Sequence, residues 1–411
     1  MADHIRFQQA VESLRIRNFR LFLIGNTVSN LGEWAQRIGQ AWLVLELTGS
    51  AVLLGVTAAL QAAPMVIIGP WAGLVADRKN KLDLLRITQS LSAAIAVTLA
   101  ILTYLGTIDV VGVLALALAL GMVKAFDFPI KQGLVIELVG TRNLVNAVTL
   151  NNIGFNAAKS IGPALAGFII AIYGIAPSFM LNAVSYLGLL TAIAMMDRGS
   201  MEFPSRVERG PKQLRAGFRH VLETPVLAAT MLLMMIVGLL AFEWQVLLPI
   251  FAREVFDGDA STFGAMFTAM GVGSIVGGLL LAGRLRTDAS ALLLAGTSFA
   301  VLFALHALAT TFGQAFVLLL MLGAASTALR SIGQSVLLGH SRPDMRGRVS
   351  ALLSVAFLGT TLVGGPLIGF LTQLLGVRWT FVAVGACVLA AALGTYPTLR
   401  AHIGGQRAPA P

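Results

Sequence analysis

The first apolar segment of the chain carries a regular series of polar side chains. Five residues recur at intervals of four, three, four and three positions: Asn26, Asn30, Glu33, Arg37 and Gln40. This spacing places them on one face of an α-helix. A polar stripe facing lipid would be costly, and ionisable residues inside a membrane span generally serve a binding site or a transport pathway. We therefore expect the stripe to face the protein interior or a water-filled cavity.

Within this stripe, Glu33 and Arg37 are four residues apart and can form an ion pair along their own helix. A purely structural pair and a role in ion coupling are equally open interpretations of this spacing. Other apolar segments carry similar polar stripes, such as Asn152, Asn156 and Lys159, which lie four and three residues apart. Several helices therefore have to bring polar groups together inside one membrane protein.

The composition is that of an integral membrane protein. Of the 411 residues, 57% are hydrophobic and 12% are charged, against about 25% charged residues in an ordinary soluble domain. Twelve apolar runs are each long enough to cross a bilayer, which takes about 20 helical residues. They lie at 19–46, 51–76, 84–105, 111–137, 144–173, 176–196, 226–251, 261–283, 289–309, 313–338, 348–375 and 378–399.

The longest polar interval divides these runs into two sets of six. Three features recur across it at offsets of 210, 204 and 203 residues: Glu33-Trp34 as Glu243-Trp244, Arg142 as Arg346, and Gly162-Pro163 as Gly365-Pro366. Similar offsets in the same order indicate a duplicated six-helix unit. The predicted organisation is a segment at 1–18, a helical bundle at 19–196, a linker at 197–225, a second bundle at 226–399 and a tail at 400–411.

The net charge of +10 reflects the topology of the chain. Of 29 Lys and Arg residues, 22 fall in the terminal segments and alternate loops that would share one side of the membrane, and two fall on the other side. By the positive-inside rule both termini are expected in the cytoplasm. The same pattern argues against a nucleic-acid partner. The single cysteine, Cys387, excludes a disulfide framework or a cysteine metal site within one chain, and we expect neither metal nor cofactor.

Several sequence motifs resemble the major facilitator superfamily, and the resemblance covers nearly the whole chain. GLVADRKNKL at 73–82 is similar to the cytoplasmic motif of that superfamily, with Asn80 in place of a glycine, and KSIGPALAG at 159–167 is similar to the Gly-Pro motif of drug:proton antiporters. The stretches AFDFPIKQGLVIELV (125–139), LPIFAREVF (248–256) and PDMRGRVSALLS (343–354) resemble the branch with enterobactin-type siderophore exporters and macrolide efflux proteins.

The resemblance implies an all-α fold of twelve transmembrane helices in two pseudo-symmetric six-helix bundles, in the plasma membrane of a bacterium. It also implies two functional motifs. The first is a cytoplasmic gate in which Asp77 latches the two halves through a helix N-terminus, and the second is a packed helix kink that seals the inner leaflet. The gate motif comprises Gly73, Asp77, Arg78 and Lys81, and the antiporter motif comprises Lys159, Gly162, Pro163 and Gly167.

Few acids are expected inside the membrane, and these are the candidates for proton coupling: Glu33, Asp127 and Glu243. Glu33 lies nearest the middle of its span and is the first candidate, whereas Asp127 and Lys131 are expected to organise the cytoplasmic end of the fourth span. The candidate substrate-cavity residues are polar and aromatic, which suits a bulky amphipathic compound. They are Asn26, Asn30, Trp34, Arg37, Gln40, Asn152, Asn156, Phe242, Trp244, Arg330 and Gln334.

These features favour a secondary transporter, acting as a monomer, that exports a small amphipathic compound such as a drug or a siderophore by proton exchange and alternating access. The absence of a G-x-x-x-x-G-K-[ST] loop argues against an ATP-driven pump. An uptake carrier of the same fold stays open. A membrane-embedded enzyme is the alternative from another class, but the sequence contains no visible nucleophile-base or metal-ligand grouping.

Overall fold

The computed structural model describes residues 12–201, 211–281 and 288–404, and in these ranges its regular secondary structure is entirely helical. A short 3₁₀ turn at Glu12–Arg15 precedes the first long helix. Six helices form the first half: α1 Arg17–Thr48, α2 Ala51–Arg78, α3 Lys81–Tyr104, α4 Val110–Val139, α5 Leu144–Tyr173 and α6 Ala176–Ala194. The remaining helices are α7 Pro211–Glu223, α8 Pro225–Ala241, α9 Trp244–Phe256, α10 Ala260–Leu281, α11 Ala289–Leu305, α12 Phe312–Gly339, α13 Arg346–Leu375 and α14 Val377–Gly404.

Local sequence signals set the helix ends. Asp109 caps α4 by accepting a hydrogen bond of 2.7 Å from the Gly112 amide, and Asn80 caps α3 through the amides of Leu82 and Asp83. Helix α4 ends at Gly140, whose φ of 68° is a left-handed conformation that glycine adopts without strain. Such ends keep the loops between these helices short.

Eleven helical segments of the described ranges are long and apolar enough to cross a membrane. Helix α1 is not among them by composition, although its 32 residues extend for about 48 Å, which exceeds a hydrocarbon core of about 30 Å. The polar stripe of α1 lowers its hydropathy. Helix α1 is therefore long enough for the predicted twelfth crossing but less apolar than the other spans.

The seventh predicted span is present but broken. The apolar run at 226–251 predicts one continuous helix, whereas the structure has α8 and α9, with Phe242 and Glu243 between them. Both helices belong to one candidate span, Pro225–Phe256. A break in a span is tolerated only where the freed backbone groups are shielded from lipid, and Glu243 is indeed buried, with 3% of its surface exposed.

The predicted linker contains a helix that the sequence reasoning missed. Helix α7 begins at Pro211 and ends at Glu223, and Val221 packs in an apolar cluster with Leu227 and Val349. Residues 202–210 of the linker, like the segment 1–11 and the tail 405–411, lie outside the described residues.

The chain forms two compact units. The first consists of Met1–Thr48, Leu60–Val207 and Asp259–Thr268, and the second of Gly49–Ala59, Glu208–Gly258 and Ala269–Pro411. One core cluster of the first unit includes Phe22, Leu85 and Leu134, all fully buried. These units differ from the predicted bundles at two helices. The first turns of α2 belong to the second unit, and the first turns of α10 belong to the first unit.

Glycine contacts explain these two additions. In the first unit, a Cβ placed on Gly264 of α10 would lie 2.6 Å from the Pro163 carbonyl oxygen of α5. In the second unit, a Cβ on Gly365 of α13 would lie 2.7 Å from the Gly55 carbonyl oxygen of α2. Because Gly55 and Gly264 are 209 residues apart, close to the offsets of the sequence repeat, each unit contains the same type of small-residue helix packing.

Candidate functional site

Four ionisable side chains of α1 and α4 form a connected group in the first unit, which we call the charge cluster: Glu33, Lys124, Asp127 and Lys131. The Lys124 ammonium donates a hydrogen bond to the Glu33 carboxylate and lies 3.7 Å from Asp127 Oδ2. Lys131 Nζ lies 2.9 Å from the same oxygen. Two lysines thus balance two acids, which is the arrangement that makes buried charge tolerable in a span.

Asp127 is also held by neutral donors from α3. Its Oδ1 accepts hydrogen bonds from Thr88 Oγ1 at 2.8 Å and from Gln89 Nε2 at 2.6 Å, and the residue is only 2% exposed. One hydroxyl donor, one amide donor and two nearby ammonium groups therefore surround the carboxylate. This geometry suits a structural anchor between α3 and α4 better than a proton carrier.

The ion pair that the spacing of α1 allows, between Glu33 and Arg37, is not formed. Glu33 pairs with Lys124 of α4, and the Arg37 guanidinium lies over the Trp34 ring, 5.0 Å from its centroid. The pairing was wrong because a lysine on a neighbouring helix reaches the carboxylate, which spacing along one helix cannot reveal.

The other members of the stripe face neighbouring helices, as the sequence predicts. Asn26 donates a hydrogen bond of 3.0 Å to Asn151 Oδ1 of α5, and Gln40 accepts one of 3.0 Å from Gln61 of α2. Asn30 is 8% exposed. The stripe therefore connects α1 to neighbouring helices.

Sequence reasoning missed a layer of single polar residues around the charge cluster. Asn182 of α6 donates a hydrogen bond of 2.6 Å to Gln36 Oε1, and Ser29 donates one of 3.3 Å to Gln89 Oε1. Lys124 also lies 5.0 Å from the centroid of the Tyr186 ring. The partners on the other helices are single polar residues in apolar runs, and no spacing pattern marks them. The stripe residues of α1 could be recognised because they recur every three or four positions.

Trp34 is the centre of an aromatic and cationic group in the first unit. Its ring meets Phe155 edge-on at 6.1 Å and Phe267 at 5.7 Å between centroids. Lys159 Nζ lies 5.6 Å from the same ring, in addition to Arg37. Trp34 therefore combines an apolar surface with two cations, the arrangement expected of a residue that contacts an amphipathic ligand.

Asn152 and Asn156 lie on the face of α5 that leads to Lys159. Both are exposed, and Asn156 Nδ2 donates a hydrogen bond of 2.9 Å to the Asn152 carbonyl oxygen. Their exposure leaves the remaining polar atoms available to a ligand or to water.

The antiporter motif packs α5 tightly in the first unit. Gly162 and Pro163 are buried in a continuous helix, and a Cβ on Gly162 would lie 2.7 Å from Trp34 Cβ and 2.8 Å from the Leu31 carbonyl oxygen. A Cβ on Gly167 would lie 3.1 Å from the Ala260 carbonyl oxygen. Only glycine fits at these contacts without moving a backbone.

The gate motif covers the last turns of α2 and the first residue of α3. Asp77 and Arg78 are exposed, and a Cβ on Gly73 would meet no atom within 4 Å. Lys81, in contrast, forms an ion pair of 2.5 Å with Glu137 of α4, and both side chains are largely buried. Asn80, in place of the glycine of the superfamily motif, has φ of −65° and caps α3, so the turn does not need glycine. The role of Asp77 as a latch stays a prediction.

Glu243 lies at the break between α8 and α9 in the second unit. Its Oε1 is buried and accepts no hydrogen bond from the part of the chain that the structure describes, although Thr361 lies within reach of the carboxyl group. A Cβ on Gly364 would lie 3.2 Å from this Oε1. The other two candidate acids, Glu33 and Asp127, each have a lysine, whereas Glu243 has no ion-pair partner among the described residues.

Arg330 of α12 lies between two aromatic rings of the second unit. Its guanidinium carbon is 5.7 Å from the centroid of Phe242 and 5.4 Å from that of Phe357. Arg330 and Gln334 are exposed and lie four residues apart on one face of α12. Trp244 is different, because it is 4% exposed and packs against Phe303 at 5.1 Å, a position in the apolar core and not at a lining surface.

Within the ranges that the structure describes, no group of three or more His, Cys, Asp or Glu side chains is placed to hold a metal ion. The candidate residues described above contribute ion pairs, amides and aromatic rings. The repeated glycine packing of the two units is the organisation of transporters built from two related helical repeats.

The solved structures that resemble this chain agree with that class. A bacterial homologue of the human lysosomal transporter Spinster superposes with a TM-score of 0.76 at 13% identity, covering 96% of this chain and 98% of the other. The nucleoside transporter NupG gives a TM-score of 0.71 at 14% identity, covering 94% and 98%. At these identities the likeness shows the fold alone.

The chain belongs to the transmembrane secretion effector family of the major facilitator superfamily, whose model matches residues 9–402. It is 27% identical to the staphyloferrin A transporter of Staphylococcus aureus over 86% of this chain and 89% of that protein. It is 23% identical to the multidrug efflux pump Tap of Mycolicibacterium fortuitum, over 90% and 92%, and 24% identical to the enterobactin exporter EntS of Shigella boydii, over 79% and 77%. It is therefore a multi-pass transporter of the bacterial inner-membrane type, and its family and fold are those of transporters.

Proposed function

We propose that the protein is a proton-coupled exporter of small amphipathic compounds, such as drugs or siderophores, that works as a monomer by alternating access. Two relatives that align over most of the chain are named as an efflux pump and an exporter. The close packing of α5 at Gly162 supports the export direction, because an exporter has to close its cytoplasmic entrance tightly after loading.

The observation that carries the coupling is that the buried carboxyl group of Glu243 has no ion-pair partner among the described residues. An unpaired carboxylate is costly to bury in a membrane span, and binding a proton removes that cost. Opening the surrounding helices to water lowers the cost of the charged form and releases the proton. Glu33 lacks this property, because Lys124 compensates its charge. We therefore assign the proton carrier to Glu243 in preference to Glu33, the first candidate from the sequence.

The test compares Glu243→Gln with Glu33→Gln in proteoliposomes. A panel of carboxylate siderophores, catecholate siderophores and lipophilic cations is offered under an imposed pH gradient and, separately, in substrate exchange without a gradient. We expect Glu243→Gln to lose accumulation and keep exchange. We expect Glu33→Gln to lower stability and both activities together, because it leaves Lys124 without its acid, and Glu33→Gln/Lys124→Met to recover part of the loss.

Two results would count against this assignment. If Glu243→Gln still concentrates a compound of the panel at the wild-type rate under the gradient, Glu243 is structural. If accumulation occurs only in right-side-out vesicles, and not in inverted vesicles with an acid lumen, the protein is an importer and the export proposal fails.

We also propose that both termini lie in the cytoplasm, on the strength of the charge distribution. In a background in which Cys387, the single cysteine, is replaced by serine, cysteines are introduced at two exposed loop positions, Thr107→Cys and Thr141→Cys. A membrane-impermeant maleimide should label the former and spare the latter in right-side-out vesicles. The reverse pattern would invert the topology.

A further inference from the structure

Two arginines inside membrane-spanning helices, one in each unit, are held by aromatic rings. In the first unit, Arg37 lies 5.0 Å from the centroid of Trp34. In the second, Arg330 lies 5.7 Å from Phe242 and 5.4 Å from Phe357. No carboxylate of the described residues lies within ion-pair distance of either guanidinium.

The acids within spans of the first unit are held by other groups and do not balance Arg37. Glu46, near the end of α1, accepts a hydrogen bond of 2.7 Å from Trp42 Nε1. Glu33 and Asp127 are bound by Lys124 and Lys131, and Glu137, at the end of α4, is bound by Lys81. Arg37 therefore adds a positive charge that no described side chain compensates. An uncompensated charge in a span is expensive and marks a functional position.

The ring contacts involve the guanidinium carbon, at 5.0 Å for Arg37 and at 5.4 and 5.7 Å for Arg330, and no carboxylate of the described residues occupies the N–H groups of either arginine. The planar N–H edge of a guanidinium matches the two oxygens of a carboxylate. Beside Arg37, the rings of Trp34 and Phe155 offer apolar surface, and Phe155 is 42% exposed. The group can thus bind an acid and the apolar part of the same molecule.

We infer that the compound transported by this protein is an amphipathic organic anion, whose carboxylate is bound by Arg37 beside Trp34, and that Arg330 offers the same chemistry in the second unit. This inference rests on the proposed function and names the charge of its substrate class. It distinguishes the protein from carriers of lipophilic cations, because positive charge within the spans that no acid compensates repels a cation.

The test measures equilibrium binding to the purified full-length protein in nanodiscs at pH 7, without a gradient. Three probes share one ring system and differ in charge: 1-pyrenebutyrate, 1-pyrenebutanol and 1-pyrenebutylammonium. The wild type should prefer the butyrate. Arg37→Gln and Arg330→Gln should each weaken butyrate binding about ten- to a hundredfold, the effect of losing a hydrogen bond to a charged group, and leave butanol binding within about twofold.

Two further variants separate recognition from folding. Arg37→Lys keeps the charge and loses the planar edge, so it should retain part of the preference for the butyrate. Arg253→Gln removes an exposed arginine at the end of α9 and should change no affinity. Circular dichroism and size exclusion of each variant control for folding.

The inference is wrong if the wild type binds the alcohol or the ammonium probe as tightly as the butyrate. It is also wrong for Arg37 or for Arg330 if the glutamine variant binds all three probes as the wild type does, or weakens all three equally. These outcomes are independent of the transport test. If the binding test fails, the protein can still export another compound under a gradient. If the transport test fails at Glu243, the protein can still bind the anion.

Discussion

Gly162→Ala is the smallest change that tests the helix packing in the antiporter motif. The added Cβ would lie 2.7 Å from Trp34 Cβ and 2.8 Å from the Leu31 carbonyl oxygen. Both atoms are fixed to the backbone of α1, so neither can turn away as the end of a long side chain could. To reach an ordinary contact of at least 3.4 Å, α1 and α5 have to move apart along their contact.

The expected cost is about 1–3 kcal/mol of overpacking. Alanine also has a higher helix propensity than glycine, by about 1 kcal/mol, which partly hides that cost. Gly394→Ala in α14 is a matched control, because Gly394 is also helical and exposed and a Cβ there would meet no atom within 4 Å. The propensity gain is common to the two variants, so their difference isolates the clash at Gly162.

The assay is equilibrium unfolding of both variants in mixed micelles by SDS titration, together with proton leak into vesicles that contain pyranine. Gly162→Ala should be less stable than Gly394→Ala by about 1–3 kcal/mol, and only Gly162→Ala should leak. The bulkier Gly162→Leu should enlarge both effects. Equal stability and equal leak in the two alanine variants would show that α1 and α5 can separate freely, and the packing argument would then be refuted.

Two further predictions concern the ends of spans. Lys81→Met alone should destabilise the protein by about 3 kcal/mol, because it leaves Glu137 without the partner of its largely buried 2.5 Å ion pair. The double variant Lys81→Met/Glu137→Gln should be destabilised less. Additive losses in a double-mutant cycle would contradict this. At Asp259, partial burial acts to raise the carboxyl pKa, but hydrogen bonds from the two hydroxyls and amides that follow it outweigh burial and lower the pKa below its ordinary 3.8. As the pH falls, the unfolded chain therefore binds the proton first, so this stabilisation is present above about pH 3.8 and is lost at lower pH. Asp259→Asn should make stability depend less on pH in this acid range. An unchanged pH dependence would show that Asp259 does not contribute to it.

The positions of the helices could be predicted from the sequence because length, apolarity and caps all act locally. The run at 111–137 predicts α4, which begins at Val110 after its cap Asp109 and ends at Val139 before Gly140. In α1 the stripe spacing also gives the face that turns toward the other helices. Both inferences depend only on the periodicity of one helix.

Contacts between helices were harder to predict from the sequence, because they depend on how each helix is rotated and displaced relative to the next. The partner of Glu33 is Lys124, 91 positions away, and no pattern within α1 indicates it. The break before Trp244 was missed for another reason. The run around it is apolar on both sides, and hydropathy does not distinguish a continuous helix from two short ones that share a span.

The repeated Glu-Trp dipeptide shows why the two units carry different chemistry. Glu33 lies in a continuous helix and is compensated by Lys124, whereas Glu243 lies at a helix break near Thr361 and has no ion-pair partner among the described residues. The difference lies in what the neighbouring helices supply and not in the dipeptide itself. A lysine placed beside Glu243 should therefore make it a charge-compensated carboxylate like Glu33.

Thr361→Lys tests this argument directly. The new ammonium would compensate Glu243, so that the carboxylate no longer needs a proton to be buried. We expect this variant to fold, to exchange substrate across the membrane and to lose accumulation under a pH gradient. Thr361→Met, of similar length and without charge, is the control and should keep accumulation. If Thr361→Lys accumulates substrate as the control does, the protonation of Glu243 is not part of the transport cycle, and the coupling has to be sought in the charge cluster of the first unit.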